Sequence, residues 1–182
     1  MPGSWRLGYI GIDNRAAGRT AAYLLASTAP RKGGKLAIIA ATRHYRAHIE
    51  RELGFQELIR RDHAHLEFAG TFEGQDDPLT NMKMTLDLLE RHPDLRGIYN
   101  VGGSSEGIGM ALTRTGRAGD VRLIGHGFGP DTRRMLQGGI MTAVLTQRTQ
   151  SLLEVMLDQL HAKSPPQPLP MQIIFPTNLP AE

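Results

Sequence analysis

The sequence predicts an α/β fold, a parallel sheet with helices on both faces. Two observations carry this. Apolar runs of strand length alternate with stretches of helical periodicity five or six times along the chain, which is the pattern of a parallel sheet joined by crossover helices. The chain also holds 21 glycines and 11 prolines among its 182 residues, enough to mark many tight loops between those elements.

The elements follow in order. Residues 7–12 are a β-rich run ending at Asp13-Asn14, either of which can cap the helix expected over 17–29. Gly33-Gly34 breaks that helix, and LAIIAA at 36–41 is a continuous apolar strand. A helix is expected over 46–62 with Ile49, Leu53 and Leu58 inward, then a weaker strand over 66–72. Leu79, Met82, Leu86 and Leu89 recur at helical spacing over 79–91, and His92-Pro93 ends that helix. A strand at 97–101, a helix at 106–114 and a strand at 121–125 come next. A short helix at 131–136 is expected to be capped by Asp131 after Pro130. The strand at 142–146 precedes a helix over 151–162, with Leu153, Met156, Leu157 and Leu160 on one face. The tail at 164–170 is proline-rich, and residues 171–175 are one more strand candidate.

Composition narrows the function. The chain has no cysteine, which removes disulfides, thiolate nucleophiles, Cys-ligated zinc and iron–sulfur clusters. Hydrophobic residues make up 40% and charged residues 21%, a globular composition. No apolar run approaches the ~18 residues of a membrane span, and residues 1–8 lack the charged-then-apolar layout of a signal peptide. The isoelectric point is near 9.5, but the net charge is only +3. The basic residues are dispersed, the densest groups being Arg43/Arg46/Arg51 and Arg114/Arg117/Arg122. Nucleic-acid binding asks for a concentrated basic face with a reading element, and none is expected of this chain.

Right-handed crossovers gather the loops after every strand on one edge of the sheet, where ligands of such sheets bind. The loops so selected are 13–15, 42–46, 73–77, 102–105, 126–129 and 147–149. They are polar and glycine-rich, which suits a polar small ligand. The sharpest catalytic motif among them is Gly103-Ser104-Ser105-Glu106-Gly107, a G-x-S-x-G pentapeptide between a strand and a helix with Ser105 in the nucleophile position. It lacks an acid and a histidine in the order a hydrolase uses, so a small serine hydrolase stands as an alternative and no enzymatic activity is expected. Neither a dinucleotide fingerprint nor a phosphate-binding loop is present. The histidines His44/His48 and His63/His65 do not converge as zinc ligands do. No metal or cofactor is expected. His126 reads as a loop anchor, and Asp77 as the cap of the 79–91 helix, with Asp76 facing the ligand edge.

The segments GIDNRAAGRTAAYLL, RELGFQELI, HPDLRGIYNVGG, IGHGFGPDTRRMLQGG and IMTAVLTQ occur in an order that resembles the effector-binding region of LacI-family transcriptional regulators and the related type I periplasmic sugar-binding proteins. The resemblance covers about residues 7–160, and its GHGFGPDTRR form is closer to the regulators. It implies a periplasmic-binding-protein-like lobe, with residues 1–147 as the second lobe of a two-lobe module. Residues 148–182 would be a helix and strand returning to a first lobe that this truncated chain lacks. It also implies a ligand set. Arg51, four residues before the Phe of the GF pair, would bond ligand hydroxyls or a carboxylate. Tyr45 would stack on a sugar face, Asp76 would offer a carboxylate, and Ser104 and Ser105 would stand where the family often has Asn or Asp. Gln147 matches the crossover glutamine. Gly127 replaces a frequent Asp and removes an acceptor. The function implied is ligand sensing, with a sugar or polyol effector bound between lobes in a cytoplasmic, homodimeric regulator. DNA contact would come only through an absent N-terminal helix-turn-helix. A periplasmic sugar-transport receptor is the nearer alternative.

Overall fold

The computed structural model describes residues 9–159 and 167–181. Its elements run α1 (Asn14–Thr28), β1 (Gly34–Ala40), α2 (Arg46–Asp62), β2 (Leu66–Glu73), α3 (Pro78–Arg91) and β3 (Leu95–Asn100). They continue with α4 (Ser105–Arg114), β4 (Arg122–His126), α5 (Pro130–Gln137), β5 (Ala143–Thr146), α6 (Thr149–Gln159) and β6 (Gln172–Ile174). The sheet order is β2-β1-β3-β4-β5-β6. β1 to β5 pair in parallel, as the alternation predicts. β6 pairs antiparallel on β5.

The two faces of the sheet hold separate cores, because successive strand side chains point to opposite faces. Leu36, Ile38, Tyr99, Val101, Ile124 and Leu145 meet Ala17, Ala21 and Leu25 of α1 and Phe55 and Ile59 of α2. Ala37, Ile39, Ile98, Leu123 and Val144 meet Leu88, Ile108, Leu112 and Leu136 of α3, α4 and α5. Apolar runs such as LAIIA are therefore covered on both sides, which is why they do not alternate with polar residues.

Glycine lets the helices approach. A Cβ on Gly18 would lie 2.0 Å from the Arg51 carbonyl, and one on Gly54 would lie 2.1 Å from the Arg15 carbonyl. So α1 and α2 cross through paired glycines. On the opposite face Gly107 of α4 crosses α3 in the same way, with 2.0 Å from its notional Cβ to the Pro78 carbonyl.

Several expectations are corrected. Of the strand expected at 7–12, residues 7 and 8 lie outside the described residues. The rest forms no strand, only a single bridge from Ile12 to Leu169. The buried stripe of α2 is Gly54, Phe55 and Ile59, whereas Ile49 and Leu53 are exposed. The glycine crossing with α1 decides which side of α2 faces in. Likewise α3 buries Asn81, Thr85, Leu88 and Leu89, and Leu79 lies at the exposed first turn. The cap of α5 is Gly129, with Pro130 and Asp131 already helical; the Gly129 amide donates to the Thr132 hydroxyl. Asp13 and Asp77 do cap α1 and α3, accepting from the amides of Ala16 and Thr80. In the 148–182 tail, β6 pairs antiparallel on β5 of this sheet. By contrast α6 buries none of its residues, and Leu153, Met156 and Leu157 are exposed. Leu160, the rest of that helix and the proline-rich stretch to residue 166 lie outside the described residues.

Candidate binding site at the carboxyl edge

The carboxyl ends of β1 to β5 bring together polar groups from both faces. Asn14 opens α1, directly after the Asp13 cap, and is buried. Its Oδ1 accepts from Arg51 Nε at 2.9 Å, while its Nδ2 donates to the Tyr9 hydroxyl at 3.1 Å. Arg51, in the second turn of α2, also donates through one terminal nitrogen to the Val101 carbonyl at 2.7 Å, just past β3. The guanidinium is thereby fixed across the edge by two neutral acceptors. These use two of its five N–H groups. No carboxylate of the described residues lies within ion-pair distance of it.

Two histidines share its neighbourhood. His48, one turn before Arg51, meets the Tyr45 ring in a T-shaped pair, with centroids 5.3 Å apart. Burial, then the Arg51 charge, hold His48 below the ordinary histidine value of 6.5. His126, the last residue of β4, meets the Tyr99 hydroxyl through Nε2 at 2.6 Å. Burial, followed by the charges of Arg51 and His48, pushes His126 well below 6.5. It is therefore neutral at pH 7. Burial raises the Tyr99 phenol, which stays protonated. The His126 side chain, expected to anchor a loop, instead ties the end of β4 to Tyr99 of β3.

The α3/α4 side of the edge is built from mutual contacts. Asp76 accepts from the Gly103 amide at 2.6 Å through Oδ1, and its carbonyl accepts from the Ser104 hydroxyl at 2.5 Å. Asn81 donates to the Ser104 carbonyl. Ser105 is 3% exposed and its Oγ accepts from Asn100 Nδ2 at 2.8 Å. Gln75, Asp76 and Ser104 are the non-glycine residues with left-handed φ among those described, a conformation that costs about 1 kcal/mol or more each. The contacts between the two loops hold them there.

Of the expected site residues, Tyr45, Arg51 and Asp76 share one neighbourhood, with His48 sensing the charges of both Arg51 and Asp76. Tyr45 is exposed at the α2 cap position. Gln147 follows β5, two strands along from β3, and is partly exposed. Asp76 Oδ1 and the Ser104 hydroxyl bond across the two loops, and Asp76 itself is exposed. Ser105 is not placed as a nucleophile. Its hydroxyl is buried on Asn100, the left-handed residue is Ser104 instead, and no histidine or acid bonds it among the described residues. Sequence reasoning missed Asn14 as more than a cap, and missed Asn100. The signal for Asn100 was an Asn closing an otherwise apolar strand, a residue strands disfavour. For Asn14 there was none, because its partner is 37 positions away. Among the described residues no group of three His, Asp or Glu is placed to hold a metal. No described helix is long and apolar enough to cross a membrane.

Comparison with known proteins agrees with this architecture. A curated relative, the D-allose-binding periplasmic protein of Escherichia coli, is 23% identical over 155 residues. That match covers 82% of this chain and 50% of the relative, so the chain spans half the length of the curated relative it matches. Among solved structures, GanP, a glucose-galactose binding protein from Geobacillus stearothermophilus, superposes with a TM-score of 0.86 at 23% identity. It covers 100% of this chain and 66% of its own. A sugar-binding protein of a sugar ABC transporter from Bacillus halodurans gives 0.79 at 26% identity, covering 97% of this chain and 67% of its own. An ABC transporter solute-binding protein from Agrobacterium vitis, with bound D-fucose, gives 0.80 at 23%, covering 94% and 61%. Residues 1–164 match the family described as "Periplasmic binding protein domain", and the chain belongs to that family.

Proposed function

We propose that this chain is a ligand-binding lobe of a sugar receptor serving transport, taking a sugar or similar polar small molecule at the carboxyl edge of its sheet. The observation that carries the reading is Arg51. It is fixed by Asn14 and Val101 with donor groups to spare, in a fold whose ligands bind at that edge. The names of the relatives support a receptor over the regulator expected from the sequence. None of those reported above is a regulator, and neither DNA contact nor a homodimer finds support among them. The receptor reading brings a location outside the cytoplasm in place of the cytoplasmic one expected with a regulator. Direct contact with ligand is assigned to Arg51, Tyr45 and Gln147. Asp76, Ser104 and Ser105 shape the loops beside them.

The test is a thermal-melt panel of pentoses, hexoses and polyols on this chain and on Arg51→Ala. A ligand at 100 times its Kd stabilises by about 2.7 kcal/mol, a shift of roughly 5–10 °C for a domain of this size. A shift in the parent chain that disappears in Arg51→Ala is the expected result. A shift that survives in Arg51→Ala would move the site elsewhere.

A further inference from the structure

The strand register lines up three polar groups across the carboxyl edge, on the α1/α2 face of the sheet. His126 is the last residue of β4. It shares a face with Ile124, because strand side chains two apart point the same way. Ile124 packs with Tyr99 and Leu145 in the α1/α2 core. On one side, Tyr99 of β3 is the register partner of Ile124. Two residues on, the Val101 carbonyl holds Arg51. On the other side, His126 is the register partner of Leu145 in β5, and Gln147 follows two residues later. His126 therefore stands between Arg51 and Gln147, two of the residues assigned to ligand above.

The imidazole has one nitrogen engaged and one open. Nε2 meets the Tyr99 hydroxyl at 2.6 Å. Nδ1 has no hydrogen-bond partner among the described residues, and it is not one of their buried unpartnered atoms, so it opens to the edge. Two tautomers fit the contact with Tyr99. In the first, Nε2–H donates to the phenol oxygen. The phenol hydrogen then has no acceptor among the described residues, although Tyr99 is fully buried. A buried donor without a partner is costly. In the second, the phenol donates to a bare Nε2 and both buried atoms are satisfied. The ring proton then sits on Nδ1, because the bond made by one ring nitrogen sets the state of the other. The Tyr99 ring stacks on Phe55 with centroids 5.5 Å apart, which holds the phenol in place.

We propose that His126 is a specificity-determining residue of this edge, offering its Nδ1–H to a sugar oxygen between Arg51 and Gln147, and that Tyr99 is the positioning residue that fixes this tautomer. The proposal rests on the receptor reading above and adds a contact to it. A sugar lacking oxygen at the matching position forfeits the bond.

Two measurements test it. The first needs no ligand. Long-range proton–nitrogen correlation spectra of the 15N-histidine-labelled chain at pH 7 report the tautomer, with His126 assigned by its loss in His126→Phe. A bare Nε2 and a protonated Nδ1 are expected, shifting toward the Nε2–H form in Tyr99→Phe. An Nε2–H form in the parent would overturn the proposal. The second is a set of melts against rising D-glucose, D-galactose, D-allose and D-arabinose. It compares the parent, His126→Phe, Tyr99→Phe and the double variant. The double variant replaces the polar pair with two packed rings, so its ligand-free melt should recover most of what either single change loses. A sugar that stabilises the parent should need about tenfold or more higher concentration in His126→Phe and in the double variant, with a smaller loss in Tyr99→Phe. A double variant that binds as tightly as the parent would make the pair purely structural and overturn the proposal. If none of the four sugars shifts the parent, the receptor reading and the ligand contact fail together, and the spectra still decide the role of Tyr99.

Discussion

The two helix pairs that flank the sheet are built alike and end differently. α1 crosses α2 through Gly18 and Gly54, and α3 crosses α4 through Gly107, in each case with a backbone carbonyl where a side chain would stand. On the α1/α2 side the crossing brings Asn14 against Arg51 and leaves a cation with unused donors at the edge. On the α3/α4 side it brings Asn81 under the 102–105 loop. There Asp76 Oδ1, Gly103, Ser104, Asn100 and Ser105 bond one another. One half of the edge keeps a guanidinium with open donors, and in the other most polar groups are already bonded across the two loops. A polar residue at a ligand edge is thus not by itself a ligand residue; what matters is whether its hydrogen-bonding capacity is already used.

The largest test of this contrast is to separate the crossings. Gly54→Val and Gly107→Val should each overpack a helix contact and cost about 3 kcal/mol or more, lowering Tm by roughly 6–12 °C. Only Gly54→Val should also disturb the Asn14–Arg51 bond and abolish ligand-induced stabilisation. Equal loss of binding in both variants, read by the same melts, would erase the distinction.

Acid separates the halves next. His48 and His126 are held below 6.5 in the fold, so the unfolded chain binds protons there before the native one does. Their contribution to stability is complete above that value and falls as pH drops below it, by at most about 1.4 kcal/mol per pH unit for each group that stays neutral. Asp77 is lowered from 3.8, chiefly by the Thr80 hydroxyl and then by its amide, so its contribution is present above that value and is lost only as pH falls below it. Denaturant titrations from pH 7 to 3 should show the first loss reduced in His126→Asn and abolished when His48→Asn is added to it, and the second abolished in Asp77→Asn with the first intact. A doubly substituted profile that still falls from pH 6.5 would place the proton uptake elsewhere.

The smallest effect belongs to Ser105→Ala. Asn100 keeps the Gly103 carbonyl as an acceptor for Nδ2, so the loss should be about 1 kcal/mol. Hydrolysis of a chromogenic ester should be the same with and without the hydroxyl. A parent turnover that vanishes in the variant would revive the nucleophile.

The sequence by itself determined the order of elements, the parallel sheet with helices on both faces, and the edge where polar loops collect. Those follow from short-range patterns: apolar runs, helical spacing, and the Asp13 and Asp77 caps that act on amides three residues away. Arg51 was singled out only through the family resemblance around Gly54-Phe55, and its anchoring to Asn14 and Val101 came from the fold. Tertiary structure alone decided which face of α2 is buried, because that depends on Gly18 and Gly54 meeting across 36 positions of chain. It likewise decided that Asp76 and Ser104 bond each other's loops, and that β6 joins the sheet antiparallel. These outcomes rest on contacts between residues distant in sequence. A side chain's type says what it can bond; only the packed fold says whether that bond has already been made.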